Sequence, residues 1–219
     1  MKGRWYNSSE RAEAQQRAFI DAGRRTGLKH IVKLSQFAAS EDSPVRFLRY
    51  HAAVERAIRD SGIAYTFLRP NLYMHGLLAF RASIQSTGQF FTAAGDARVS
   101  VVDVRDNAAA AAAALTQPGH EGQTYDLTGP EALTHAEMAA LLSDSLGRTV
   151  TFVDVQPAAM RDALLSSGLP PRQADGLVED YAHYRRGEAA AVTSGVRDAT
   201  GKEPRSFEEF AREYAGMFS

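Results

Sequence analysis

Residues 28–76 constrain the fold more than any other stretch. Two short apolar runs, Ile31–Leu34 and Tyr65–Leu68, have the length of buried strands. Between them Phe47, His51, Val54, Ile58 and neighbouring alanines recur at helical spacing. Gly62 stands just past that segment, where a left-handed residue commonly ends a helix. Strand, helix and strand within this length predict a right-handed parallel crossover. Open parallel sheets bind ligands beyond the carboxyl ends of their strands. Here those ends are Ser35-Gln36 and Pro70-Asn71-Leu72-Tyr73.

The rest of the chain fits one sizeable core, or one domain with a small subdomain, in 219 residues. Lys and Arg number 25 against 26 Asp and Glu, so no basic excess points to nucleic acid or an anionic membrane as the main partner. There is no cysteine, which removes disulfides, thiol catalysis and thiolate metal sites and fits a reducing cytoplasm, the expected location. No apolar run reaches membrane-spanning length. Met1–Asn7 lacks the apolar core and cleavage site of a signal peptide.

Further elements read off local chemistry. Ser8 or Ser9 caps a helix running to about Arg25. Leu77–Ser86 reads as a helix, Gln89–Thr92 and Val99–Val102 as strands, and the alanine-rich 105–116 as a closely packed helix. Gln123–Leu127 is a strand. Thr134 and Glu137 form a capping box for helix 134–146, and Ser206 and Glu209 another for a terminal helix. Thr149–Val155 is a strand, Pro157 opens a helix, and a further helix covers roughly Arg172–Arg185. The expected class is α/β. Strands 30–35, 64–69 and 123–127 should lie side by side and parallel in a Rossmann-like sheet, beside a small C-terminal mixed subdomain.

The order of Leu28–Ser35, His51–Glu55, Ser61–Pro70, Val102–Asp106, Tyr125–Pro130 and Thr200–Phe210 resembles the NmrA-like branch of the atypical short-chain dehydrogenases/reductases. The resemblance implies an NAD- or NADP-binding Rossmann domain over residues 1–147. It also implies a small substrate region over 148–219, interleaved with 71–102. It further implies, for an N-terminally complete version, hydride transfer to quinone-like or other small acceptors, this chain alone being expected to be inactive, with non-catalytic dinucleotide sensors, or an inactive fragment of the same fold, as the alternative. Two departures stand out. Nothing in Met1–Gly27 resembles the glycine-rich turn that sets a pyrophosphate on a helix N-terminus. Only the nicotinamide half of a cofactor site is therefore expected, with weak dinucleotide binding and a Rossmann-like sheet short of its N-terminal strands. The reductase Tyr-x-x-x-Lys pair is also absent: Phe47 and His51 stand at those positions.

The expected cofactor contacts are Ser35, Gln36, His51, Pro70 and Asn71, and the expected acceptor pocket is Leu72, Tyr73 and Met74; no metal site is expected. His51 and Glu55 also admit a plain reading as a helix-surface pair. Ser35 is as consistent with strand capping as with a ribose contact. Asp103 and Asp106 read as caps of the alanine helix. Tyr181, His183 and Tyr184 read as packing residues. Without a strand beside it, the outer edge of Ile31–Leu34, flanked by Lys29 and Lys33, should drive self-association or leave the chain marginally stable.

Overall fold

The computed structural model describes residues 10–219. In chain order its elements are α1 (Glu10–Thr26), β1 (His30–Leu34), α2 (Arg46–Asp60) and β2 (Ala64–Pro70). A 3-10 helix over Met74–Phe80 then leads into α3 (Arg81–Thr87) and β3 (Gln89–Thr92). Next come α4 (Val104–Thr116), β4 (Gln123–Leu127), α5 (His135–Leu146), β5 (Thr151–Asp154), α6 (Pro157–Ser166) and α7 (Pro171–Arg185). The chain closes with α8 (Gly195–Thr200), α9 (Phe207–Glu213) and α10 (Ala215–Phe218).

The three expected strands are adjacent and parallel, in the order β1-β2-β4. His30 lies opposite Ala64, and Thr66 opposite Gln123. Successive side chains of a strand point to opposite faces, so neighbouring residues of β2 feed different cores. Phe67 packs with Ile20, Ile31, Val54 and Ile58 under α1 and α2. Leu68 packs with Val102, Ala110, Leu127 and Val196 under α4 and α8. Full burial of such a side chain contributes about 1.5–3 kcal/mol. The alanine run works as its composition suggests: Ala110, Ala113 and Ala114 are buried, and their small side chains let α4 lie close to the sheet.

A second, two-stranded parallel sheet pairs β3 with β5. It belongs to the largest core, where Ile84, Phe90, Met138, Leu142, Phe207, Phe210 and Phe218 are buried together. Both capping boxes form, at Thr134–Glu137 and Ser206–Glu209.

Several expectations are corrected. Val99–Val102 is not a strand. Its hydrogen bonds go to separate segments: Val99 bridges Leu133, Ser100 N donates to Ala189 O, and Val102 bridges Tyr73. The stretch 77–86 is not one helix, because Met74 N is captured by Val102 O and the chain winds as a 3-10 helix before α3. The terminal helix breaks at Tyr214, whose backbone is not helical. Helix α8 was not foreseen, being six residues long. Lys33 does not guard the outer edge of β1. It lies two residues from Ile31, on the same buried face, while Leu34 is 52% exposed. The caps expected at Ser8 and Ser9 lie outside the described residues.

Gly195 shows how tightly α8 approaches β4: a Cβ there would stand 2.1 Å from the Asp126 carbonyl oxygen. Backbone cannot yield as a side-chain tip can. Gly195→Ala should therefore cost about 1–3 kcal/mol, measured as a lower urea midpoint. Gly216→Ala, with nothing within 4 Å of its added carbon, should leave stability unchanged or slightly raised.

Candidate functional site

The carboxyl ends of β1 and β2 are held in register beyond the last paired residues. Ser35 N donates to Leu68 O (2.7 Å), Phe37 N to Pro70 O (2.9 Å) and Asn71 N to Leu127 O (3.0 Å). The chain then turns at Ala38, which takes a left-handed φ of 58°. Ala39 N closes that turn on Gln36 O.

Glu55, on α2, is the charge centre of this region. It is fully buried and is not a surface partner of His51, so the plain reading is overturned. Its Oε1 accepts from Ser35 Oγ (2.5 Å) and Arg69 Nε (2.9 Å), and its Oε2 from Arg69 Nη2 (2.5 Å) and Arg59 Nη2 (3.4 Å). A buried carboxylate needs this saturation to survive desolvation. Ser35 thus spends its proton on Glu55 and retains oxygen lone pairs for an outside donor.

His51 is bound instead to Lys33, whose Nζ donates to His51 Nδ1 (2.9 Å) and to Leu34 O (3.0 Å). An ammonium donates only, so His51 Nδ1 must accept and the ring proton must sit on Nε2. Burial, with the Lys33 charge beside it, lowers the His51 pKa to about 3, so the ring is neutral at ordinary pH. Burial likewise lowers Lys33 to about 8, against the opposing attraction of Glu55. His51 therefore offers an N–H donor to a cleft of about 420 Å³ lined by Ser35, Gln36, Phe37, Phe47, Pro70 and Asn71.

All five expected cofactor contacts line that cleft, and their polar atoms are unequally free. The Asn71 amide is spent on structure: Nδ2 donates to Ser100 Oγ (2.9 Å) and Ala189 O (2.8 Å), while Oδ1 accepts from Leu72 N. Leu72, Tyr73 and Met74 line a second, more enclosed and mostly apolar cavity of about 340 Å³. Leu177, Met160, Leu164 and His135 also stand in its wall. His135 is buried with no hydrogen-bond partner at Nδ1 among the described residues, and burial lowers its pKa to about 4. The two spaces share Leu72, Tyr73, Leu177, Asp180 and Tyr184. Tyr181 also faces the cavity, and His183, which lines the cleft, pairs with Glu188 (2.6 Å). Asp103 does cap α4, by accepting from Arg105 N. Asp106 instead ties down Arg205, accepting from its backbone and its guanidinium.

Sequence reasoning missed Lys33, Asp180 and His135. The Lys33 signal was available in the alternation of β1. Nothing local marked Asp180 or His135, which matter because α5 and α7 close over strand ends far away in the chain. Among the described residues no three His, Asp or Glu side chains gather as a metal site.

The parallel sheet, the crossover and a cleft at the strand ends define a Rossmann-like α/β protein. The chain belongs to the NmrA-like family, whose profile matches residues 5–211. It is 39% identical over 201 residues to an NAD(P)H azoreductase of Xenophilus azovorans, covering 92% of this chain and 70% of that protein. It is also 39% identical over 199 residues to a (4-alkanoyl-5-oxo-2,5-dihydrofuran-3-yl)methyl phosphate reductase of Streptomyces griseus, covering 90% of this chain and 70% of that one. A crystal structure of an NADPH-dependent quinone oxidoreductase from Escherichia coli, complexed with NADPH, superposes with a TM-score of 0.86 at 31% identity. The match covers 95% of this chain and 73% of that one.

The Lys33–His51 pair makes stability depend on pH with a definite sign. An unfolded lysine keeps its proton to about 10.5, whereas Lys33 releases it near 8. Between those values the unfolded state holds more protons, so stability rises with pH. Against Lys33→Met, the wild-type chain should gain about 3 kcal/mol from pH 8 to pH 10.5, read from urea midpoints across that range. An equal trend in both proteins would count against the buried amine.

Proposed function

We propose that this chain is an NAD(P)H-dependent reductase of small, uncharged, quinone-like acceptors. One observation carries the reading: the cleft at the ends of β1 and β2 runs into an apolar cavity through shared walls. A nicotinamide riboside is a flat amide-bearing ring on a polar sugar. The cleft offers it apolar faces at Phe37, Phe47 and Leu72 and polar groups at Ser35, Gln36 and His51. A bound reduced nicotinamide would supply a hydride. Ser35, Gln36, His51, Pro70 and Asn71 would hold its riboside end, and Leu72, Tyr73 and Met74 would line the acceptor side. In this reading residues 1–147 belong to the nucleotide domain, with 148–219 and the interleaved 71–102 closing over it.

The same reading extends to self-association. Among the described residues β1 pairs only with β2. Phe19 is 59% exposed beside the exposed Leu34, along a groove between α1 and β1. Leu34→Lys should shift the chain toward monomer in light scattering, since charge on a strand edge opposes pairing. An unchanged mass distribution would remove the edge from consideration.

The test of the function is a titration of NADPH followed by nicotinamide fluorescence, with reduction of 2-methyl-1,4-naphthoquinone followed by loss of nicotinamide absorbance. His51→Ala should weaken binding by about tenfold, the loss of one donor to the ribose, with a circular dichroism spectrum like wild type. Unchanged binding and turnover in His51→Ala would refute the ribose role.

A further inference from the structure

Helix α7 carries three acidic side chains, Asp175, Glu179 and Asp180, and two of them have cations. Asp175 accepts from Arg161 Nε (2.6 Å). Glu179 accepts from Arg46 through both the backbone (2.9 Å) and the guanidinium (2.5 Å). The histidine one turn on, His183, is held by Glu188. Asp180 is left buried without any cation among the described residues. Its hydrogen bond is a long one, Oδ1 accepting from Gln36 Nε2 at 3.3 Å. A carboxylate so placed has lost its hydration and gained one neutral donor in return, which favours the protonated form. Asp180 also stands where the cleft and the apolar cavity meet, lining both.

We propose that Asp180 acts as a neutral acid at this junction. It donates its carboxyl O–H to a carbonyl oxygen or a comparable acceptor atom of a small uncharged molecule in the cavity. It thereby selects for uncharged molecules with a hydrogen-bond acceptor at one edge, and against anions. The inference rests on the reductase reading for the reaction and adds to it the missing proton. Reduction by a hydride leaves a basic oxygen or nitrogen one proton short. The Asp180 O–H bond breaks, its proton passes to that atom, its electron pair stays on the carboxylate, and water restores the proton.

The surroundings support this assignment. Burial raises the Asp180 pKa to about 7, and the neighbouring Glu179 charge adds to the rise while Gln36 opposes it. Four other groups facing this junction are uncharged near neutrality: Tyr181 and Tyr184 on α7, both raised by burial, and His51 on α2 and His135 on α5, both lowered by it. His183 on α7 also lines the cleft, paired with Glu188, and Lys33, lowered to about 8, stands behind His51. Tyr73 stands in the shared wall. Asp180 is the carboxyl group that lines both spaces. Its proton is present below pH 7 and lost above it.

The test is calorimetric binding of 2-methyl-1,4-naphthoquinone to the full chain between pH 5.5 and 9. Affinity should be constant below pH 7 and fall about tenfold per unit well above it. At pH 8 binding should draw most of one proton from the buffer, seen as a dependence of the heat on buffer ionisation enthalpy. Asp180→Asn, an isosteric amide that donates at every pH, should bind with a flat profile and no proton uptake. Gln36→Leu, which removes the donor favouring the carboxylate, should move the wild-type transition to higher pH. A flat wild-type profile, or an Asp180→Asn variant that keeps the slope, overturns the role of Asp180 while leaving the acceptor cavity in place. Absence of binding at every pH overturns the cavity reading itself, and this inference with it.

Discussion

The buried carboxylate of Glu55 fixes the geometry on which the site depends. It joins three elements at one point: α2, which carries it, the end of β1 through Ser35, and β2 through Arg69. Breaking such a group by removing one partner is costly, about 3–5 kcal/mol, because the remaining charge stays buried. Its value to the site is positional. With Ser35 and Arg69 tied to one helix, the two strand ends cannot slide past each other. The turn carrying Gln36 and Phe37 then starts from a fixed place.

Polar groups around this centre are sorted by what each can exchange. Lys33 donates a hydrogen bond inward to His51 Nδ1, which leaves the imidazole only one way to face the cleft. Asn71 turns all its amide groups to Ser100, Ala189 and Leu72 and serves as a clamp between distant segments. A side chain at a strand end can thus line a ligand space and still have nothing left to offer a ligand. Proximity in sequence to a binding edge and chemical availability are separate properties.

What could be read from the sequence follows the same division. The parallel trio β1, β2 and β4, the caps at Asp103, Thr134 and Ser206, and the buried alanine helix rest on periodicity and on contacts three or four residues apart. Those signals are local and were legible. The path of 99–102 was not, because its apolar run is spent on bridges to three different segments rather than on one partner strand. Glu55 looked like half of a surface pair because its true partners sit 14 and 20 positions away. Asp180 carried no mark at all, since its meaning comes from Gln36, 144 positions earlier in the chain.

That separation has a consequence for how the molecule is made. The strand ends of the cleft are synthesised early, and the helix that roofs them, α7, comes late. At ribosomal rates of about 5–20 residues per second, the 144 positions between Gln36 and Asp180 take roughly 7–29 s. Once Leu72, Met74 and the end of β2 have followed the end of β1, they have no roof for the rest of that interval, and the growing chain presents an apolar trough to its surroundings. Contacts this distant raise the loop-closure entropy of assembly and slow it. The ligand space therefore comes into being only after most of the chain has been made, and its apolar trough is open to the surroundings until α7 arrives.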